Sequence, residues 1–160
     1  MMDVSIAPVR KNVRIAASPA HCFKVFTADL FLWWPKSHAL GTGVMTHSEI
    51  EPFAGGRFYA RFDNGEEINT GHVTAWEPPN RLVFTWEISA EWKCHPGRET
   101  SSEVEVRFLP NGSDATIVEL EHRRFERMAG GDSMRTAVDA EGGWSGILQL
   151  FAGYMAANRS

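Results

Sequence analysis

Apolar and polar residues alternate strictly over two long stretches of this chain. Over residues 101–109, Val104, Val106 and Phe108 fall on one face, with Glu103, Glu105 and Arg107 on the other. Over residues 115–122, Thr116, Val118, Leu120 and His122 alternate with Ile117, Glu119 and Glu121. A period of two is that of a strand with one buried face. The charged outer faces predict an antiparallel sheet with one wet side. Further strands are predicted at 9–15, 46–51, 56–62, 66–77 and 81–89. In the third strand of the chain, Phe58, Ala60 and Phe62 alternate against Arg57, Tyr59 and Arg61. Asn64-Gly65 and Asn111-Gly112 are strong hairpin signals. Pro78-Pro79-Asn80 lacks the N–H groups a ladder needs, so it ends one strand and starts the turn to the next.

Helical spacing occurs near both ends. Ser18 is a predicted N-cap with Pro19 at the first helical position. Cys22, Phe23, Val25 and Phe26 then form a buried stripe that ends before Asp29. A short second helix holds residues 30–34 and is stopped by Pro35. Residues 35–45 have no period and read as a loop, and 125–140 as a loop with a short helix. Gly142-Gly143 opens the last helix, where Trp144, Ile147, Leu148, Phe151 and Met155 share one face and Leu150 and Tyr154 widen it. The order of strand, helices, about six or seven strands and a helix is that of an α+β fold with helices on one face of an antiparallel sheet.

Composition narrows the class. The 160 residues are 43% hydrophobic and 22% charged, which predicts one soluble domain spanning 1–160 with its core at about 9–158. The net charge of −4 and the lack of any basic run beyond Arg123-Arg124 argue against nucleic-acid binding. No apolar run approaches the roughly 20 residues that span a bilayer. The N-terminal sequence lacks the plan of a signal peptide. Cys22 and Cys94 do not make a disulfide framework. A cytoplasmic protein with reduced thiols is expected.

The motifs, taken in order, resemble the START-like helix-grip superfamily (SRPBCC). More narrowly, they resemble homologues of the C-terminal domain of the activator of heat-shock-protein-90 ATPase. The carrying residues are Ser18-Pro19 through Phe26, Trp33-Trp34-Pro35, Gly55-Gly56-Arg57-Phe58 and Gly71-x-Val73. They continue with Glu77-Pro78-Pro79-x-Arg81-Leu82, Thr85-Trp86, Val104-x-Val106-x-Phe108, Glu119-Leu120-Glu121-His122 and Gly143-Trp144. The WWP-x-SH variant at 33–38 is similar to that of bacterial single-domain members. The resemblance implies a curved sheet wrapped around a long C-terminal helix, enclosing an apolar cavity. Relatives bind lipids, sterols or aromatic metabolites, and some are cyclases or dehydratases. The chaperone-activating relatives carry an extra N-terminal domain, for which this chain is expected to have no room.

Six Trp and ten Phe supply material for such a cavity. The ligand-binding candidates are Trp34, Phe53, Phe58, Phe84, Trp86, Phe108, Leu120, His122, Trp144, Leu148 and Phe151, with Trp92 and Phe125 also in reach. Each aromatic has a plainer reading as core filling. No catalytic residue is assigned, but His122 is the candidate acid or base, since alternation puts it on the cavity side. Its plainer reading is a structural histidine satisfied by backbone, or one in solvent past the strand end. Arg123 or Arg124 are candidates to pair with an acidic head group, or else are solvated rim charges. His72, Glu66 and Glu67 are expected to face solvent. No metal site is expected: Cys94-His95 and His21-Cys22 are adjacent pairs, and His38 and His47 lack a partner motif. Cys22 reads as inert core. No organic cofactor is expected.

Three functions follow as expectations. The first is binding of a small hydrophobic or aromatic ligand in the central cavity. The second is a co-chaperone-like interaction module with a chaperone as partner. The third is a cyclase, dehydratase or hydrolase acting on the cavity ligand. The protein is expected to be a monomer or homodimer.

Overall fold

The computed structural model describes residues 5–38, 40–93 and 97–158. Seven strands form one antiparallel sheet in the order β1-β7-β6-β5-β4-β3-β2. They are β1 (Val9–Ile15), β2 (Met45–Ile50), β3 (Arg57–Phe62), β4 (Glu67–Glu77), β5 (Arg81–Trp86), β6 (Ser102–Pro110) and β7 (Thr116–Arg123). The helices are α1 (Pro19–Ala28), α2 (Leu30–Trp33), α3 (Gly131–Asp139) and α4 (Gly146–Ala157). This is the helix-grip arrangement, with short helices after the first strand and a C-terminal helix against a curved sheet.

The first two strands lie at opposite edges of the sheet, so α1 and α2 must carry the chain across its concave face. Ser18 caps α1 by accepting from the His21 N–H at 3.2 Å, with Pro19 in the first turn. The predicted stripe is buried. Phe23 packs edge-on against Trp76 and Phe108, and Phe26 against Phe108 and Phe151. Trp33 Nε1 donates to the Val25 carbonyl at 3.1 Å, which ties α2 back onto α1. Leu82, Phe84, Val104, Val106, Phe108, Val118 and Leu120 line the inner face of the sheet, each at most 1% exposed.

The sheet bends at β4. Its pairing with β3 shifts between Phe58 and Tyr59, and its pairing with β5 shifts between Val73 and Ala75. Gly71 sits between these irregularities. A Cβ there would lie 1.7 Å from the Thr85 carbonyl oxygen, so the close approach of the two backbones requires glycine.

The outer face differs from the expected wet surface. Glu105 is 2% exposed because arginines from three strands converge on it. Arg81 Nε, Arg107 Nη2 and Arg123 Nη1 all donate to its carboxylate. Glu87, at 2%, accepts from Thr85 Oγ1 and bonds His72 Nδ1 at 2.8 Å, so His72 is half-buried rather than solvent-facing. Tyr59, placed by alternation among outward residues, is 3% exposed. The Arg57 and Arg61 guanidiniums lie 4.0 and 5.3 Å from its ring centre and cover it. The expected C-terminal stripe is buried, with Ile147, Leu148, Phe151 and Met155 on α4 and Trp144 ahead of it. α4 begins at Gly146 rather than at Gly142-Gly143 because Gly143 is non-helical, and Leu150 is 48% exposed and lies outside the stripe.

Candidate ligand cavity

The inner face of the sheet and the start of the last helix enclose a cavity of about 350 Å³. This is within the usual range for small-molecule sites. Each wall comes from a different part of the chain. The residues after α2 supply Trp34, β3 supplies Phe58, Ala60 and Phe62, and β4 supplies Ile68 and Thr70. Trp86 closes β5 and Ile88 follows it, while α3 contributes Ala137 and Val138. Gly142, Gly143 and Trp144 supply the wall ahead of α4, and Ile147 lies on α4.

Three indoles define the aromatic wall. Trp144 stands 5.4 Å from Trp86 and 6.1 Å from Trp34, centre to centre, both near edge-on. Phe58 packs edge-on against Trp34 at 5.4 Å. Such pairs hold flat faces at fixed angles in a way aliphatic side chains do not. Segment Glu141–Ser145 aims Trp144, and within it Gly143 leaves helical geometry at φ −87° and ψ −136°. A Cβ on Gly143 would stand 2.1 Å from the Val138 carbonyl oxygen.

His122 is fully buried behind this wall. Trp144 Nε1 donates to its Nδ1 at 3.0 Å, and its Nε2 lies 2.8 Å from Ser102 Oγ. Phe125 packs on the ring at 4.5 Å. Burial pushes its pKa from 6.5 down to about 3, so the ring is neutral at physiological pH. Since Nδ1 accepts from Trp144, the ring proton sits on Nε2 and is donated to Ser102. Both nitrogens are thus engaged by protein, and the ring is not among the residues lining the cavity. The plainer reading expected backbone partners; the partners here are the side chains of Trp144 and Ser102.

The other sequence candidates divide by place. Trp34, Phe58, Trp86 and Trp144 line the cavity, as does Trp92, which is 44% exposed. Phe84, Phe108, Leu120, Leu148 and Phe151 are packed in the core at 2% exposure or less and do not line it. Phe125 joins them through His122. Phe53 lies away from the cavity, 53% exposed in the turn between β2 and β3, because residues 51–56 loop outside the sheet.

Neither candidate arginine reaches the cavity. Arg123 bonds Glu103, Glu105 and Glu121 on the outer face, and Arg124 lies 3.4 Å from Glu103. Alternation already places Arg123 opposite His122, which is the signal for that outcome.

Much of the wall was not among the candidates, including Ser48, Ala60, Ile68, Thr70 and Ile147, and neither were two polar atoms in it. Ser48 Oγ and Trp86 Nε1 are buried and have no hydrogen-bond partner among the described residues. Trp86 was a candidate for its ring, not for its N–H. Ser48 was legible only as sharing a period-two face with Ile50. Ser48 also borders a shallower groove formed with Phe23, Trp76, Pro78 and Pro79. None of the described residues lining the cavity between the sheet and the last helix carries a charged side chain.

Cys22 is fully buried and desolvation pushes its thiol pKa up, opposed by a hydrogen bond with Thr116. Cys94 and His95 lie outside the described residues. Among the described residues there is no group of three or more metal-ligating side chains, and no helix long and apolar enough to cross a membrane.

An anthrahydroquino-Gama-pyrone synthase, Txn09, in complex with SUM, is 41% identical, with a TM-score of 0.64 over 95% of this chain and 99% of that one. CalC from Micromonospora echinospora, a self-sacrificing resistance protein, is 28% identical, with a TM-score of 0.67 over 94% of both chains. Protein MLL2253 from Mesorhizobium loti is 19% identical, with a TM-score of 0.66 over 96% of this chain and 100% of that one, and is a likeness of fold alone. A search among curated proteins finds none that matches. The pattern of the Activator of Hsp90 ATPase homolog 1-like protein family matches residues 16–156. This chain, with its START-like helix-grip fold, therefore belongs to the Activator of Hsp90 ATPase homolog 1-like family.

Proposed function

We propose that this protein binds a neutral, planar, oxygen-bearing aromatic molecule in the cavity, as the substrate of a ring closure. The observation that carries the reading is the wall itself. Trp34, Trp86 and Trp144 offer flat apolar faces, and no charged side chain lines the cavity among the described residues. A charged ligand would lose its hydration there without a partner, which is costly. A flat uncharged ring system exchanges mainly apolar surface and stacks on indoles, leaving only a few neutral oxygens to be matched. The likeness to a 41% identical anthrahydroquino-Gama-pyrone synthase supports a ligand of that class and a ring-forming reaction.

The indoles that form the site also report on it. Titrating the protein with the dihydroxyanthraquinone danthron is expected to quench tryptophan emission saturably. Ala60→Leu, which fills the cavity from β3, is expected to abolish the saturable part while the protein stays folded. Absence of saturable quenching in the unaltered protein, or quenching indifferent to Ala60→Leu, would refute the reading.

A further inference from the structure

We propose that Ser48 Oγ and Trp86 Nε1 are the two polar contacts that orient the ligand, each hydrogen-bonding an oxygen atom on an opposite side of its ring system. This rests on the ligand reading above and extends it to which atoms of the ligand are read.

Buried polar groups in folded proteins are nearly always paired, so an unpaired one calls for an explanation. Elsewhere among the described residues, buried side-chain polar atoms keep the rule. Trp33 Nε1 donates to the Val25 carbonyl and Trp144 Nε1 to His122. Thr27 Oγ1 donates to the Phe23 carbonyl, and Thr116 Oγ1 to that of Ala17. Ser102 Oγ is bonded to His122. The two buried side-chain polar atoms left over among the described residues are Ser48 Oγ and Trp86 Nε1, on residues 5% and 8% exposed, and both residues line the same cavity.

Their chemistry limits the ligand. An indole N–H only donates, so Trp86 asks for an acceptor: a carbonyl, quinone or ether oxygen. A serine hydroxyl donates or accepts, so Ser48 takes a carbonyl or a hydroxyl. Neither carries charge, in keeping with a neutral molecule. Their places in the sheet separate the two contacts. Ser48 is on the edge strand β2 and Trp86 on β5, with β3 and β4 between. At about 4.8 Å per strand the two backbones are roughly 14 Å apart along the sheet. Two oxygens on opposite sides of a ligand suit two contacts that start from strands this far apart. An anthraquinone, whose carbonyls lie on opposite edges of a flat tricycle, has the required pattern.

The test compares danthron with anthracene, the same ring system without oxygen. The unaltered protein, Ser48→Ala and Trp86→Phe are titrated with each, reading emission from the remaining tryptophans. Each substitution is expected to weaken danthron about five- to tenfold, the effect of losing one neutral hydrogen bond. Anthracene affinity is expected to stay the same for Ser48→Ala. For Trp86→Phe, the preference for danthron over anthracene is expected to fall by the same factor. Unchanged danthron affinity in Ser48→Ala and an unchanged preference in Trp86→Phe would overturn the assignment alone. So would equal weakening of both ligands, which marks lost packing rather than a lost hydrogen bond. If the unaltered protein binds neither ligand, the cavity reading itself fails. Ser48→Ala removes a single oxygen and keeps the test open should Trp86→Phe not fold.

Discussion

The Trp144 indole donates its N–H to His122 Nδ1 across 3.0 Å, joining the head of the last helix to the inner face of β7. Trp144 is a wall of the cavity and His122 is the fixed point behind it. The histidine lies 22 residues away in sequence and holds the ring's angle without being among the residues that line the cavity.

Replacing His122 by Phe keeps a ring in place but leaves the Trp144 N–H and the Ser102 hydroxyl unpaired. The expected loss of stability is about 2–4 kcal/mol, from two desolvated groups without partners. Urea unfolding measures it. The same variant tests a pH effect. The folded pKa of His122 is about 3, below its ordinary 6.5, so the unfolded chain takes up a proton that the folded one refuses. Its contribution to stability is complete above about pH 6.5 and is lost progressively as pH falls toward about 3. Between about pH 7.5 and pH 5.5 the unaltered protein should lose about 1.4 kcal/mol that His122→Phe does not lose. Equal losses in both would exclude His122 as the source.

Glu105→Gln is expected to destabilise the fold by about 2–3 kcal/mol, since it strips the shared carboxylate from three arginines. Part of this is screened because those arginines reach solvent. Burial by itself would raise the pKa of Glu105. Hydrogen bonds from Arg81, Arg123 and Arg107 outweigh it and hold the carboxyl at about 2, against an ordinary 4.5. Its contribution is therefore present above 4.5 and lost as pH falls through about 2. Acid unfolding curves should show the variant missing this component while ligand binding is retained.

Gly143→Ala sets a side chain against the Val138 carbonyl and forces the segment before α4 to move. A cost of about 1–3 kcal/mol is expected. The Trp144 indole N–H resonance should shift toward that of a group freed from His122, with danthron affinity falling together with it. An unmoved resonance would mean the backbone absorbs the methyl elsewhere.

The strands and both ends of α1 were legible because their signals are local. Period-two alternation over 116–123 matches the burial of every second residue, and Ser18-Pro19 is itself the helix start. The C-terminal stripe was read correctly, except that Leu150 turns to solvent. The site was legible only in part. Trp34, Phe58, Trp86 and Trp144 were named, but so were Phe84, Phe108 and Phe151, which share their inward direction and meet packed side chains instead of space. Alternation tells which way a side chain points, not what it meets there.

The order of elements, the inward faces of the strands and the supply of aromatic residues are properties of neighbouring positions, and the chain carries them on its own. Which inward residues border open space depends on how far α4 and the Glu141–Ser145 segment stand from the sheet. That distance is set by contacts between residues remote in sequence, such as Trp144 with His122. The same holds for charge. Glu105 reads as a surface residue until three arginines from three strands close over it. Ser48 reads as an unremarkable edge-strand serine until folding buries its hydroxyl without a partner. Burial and pairing are sums over all neighbours in space, and no window of sequence contains those neighbours.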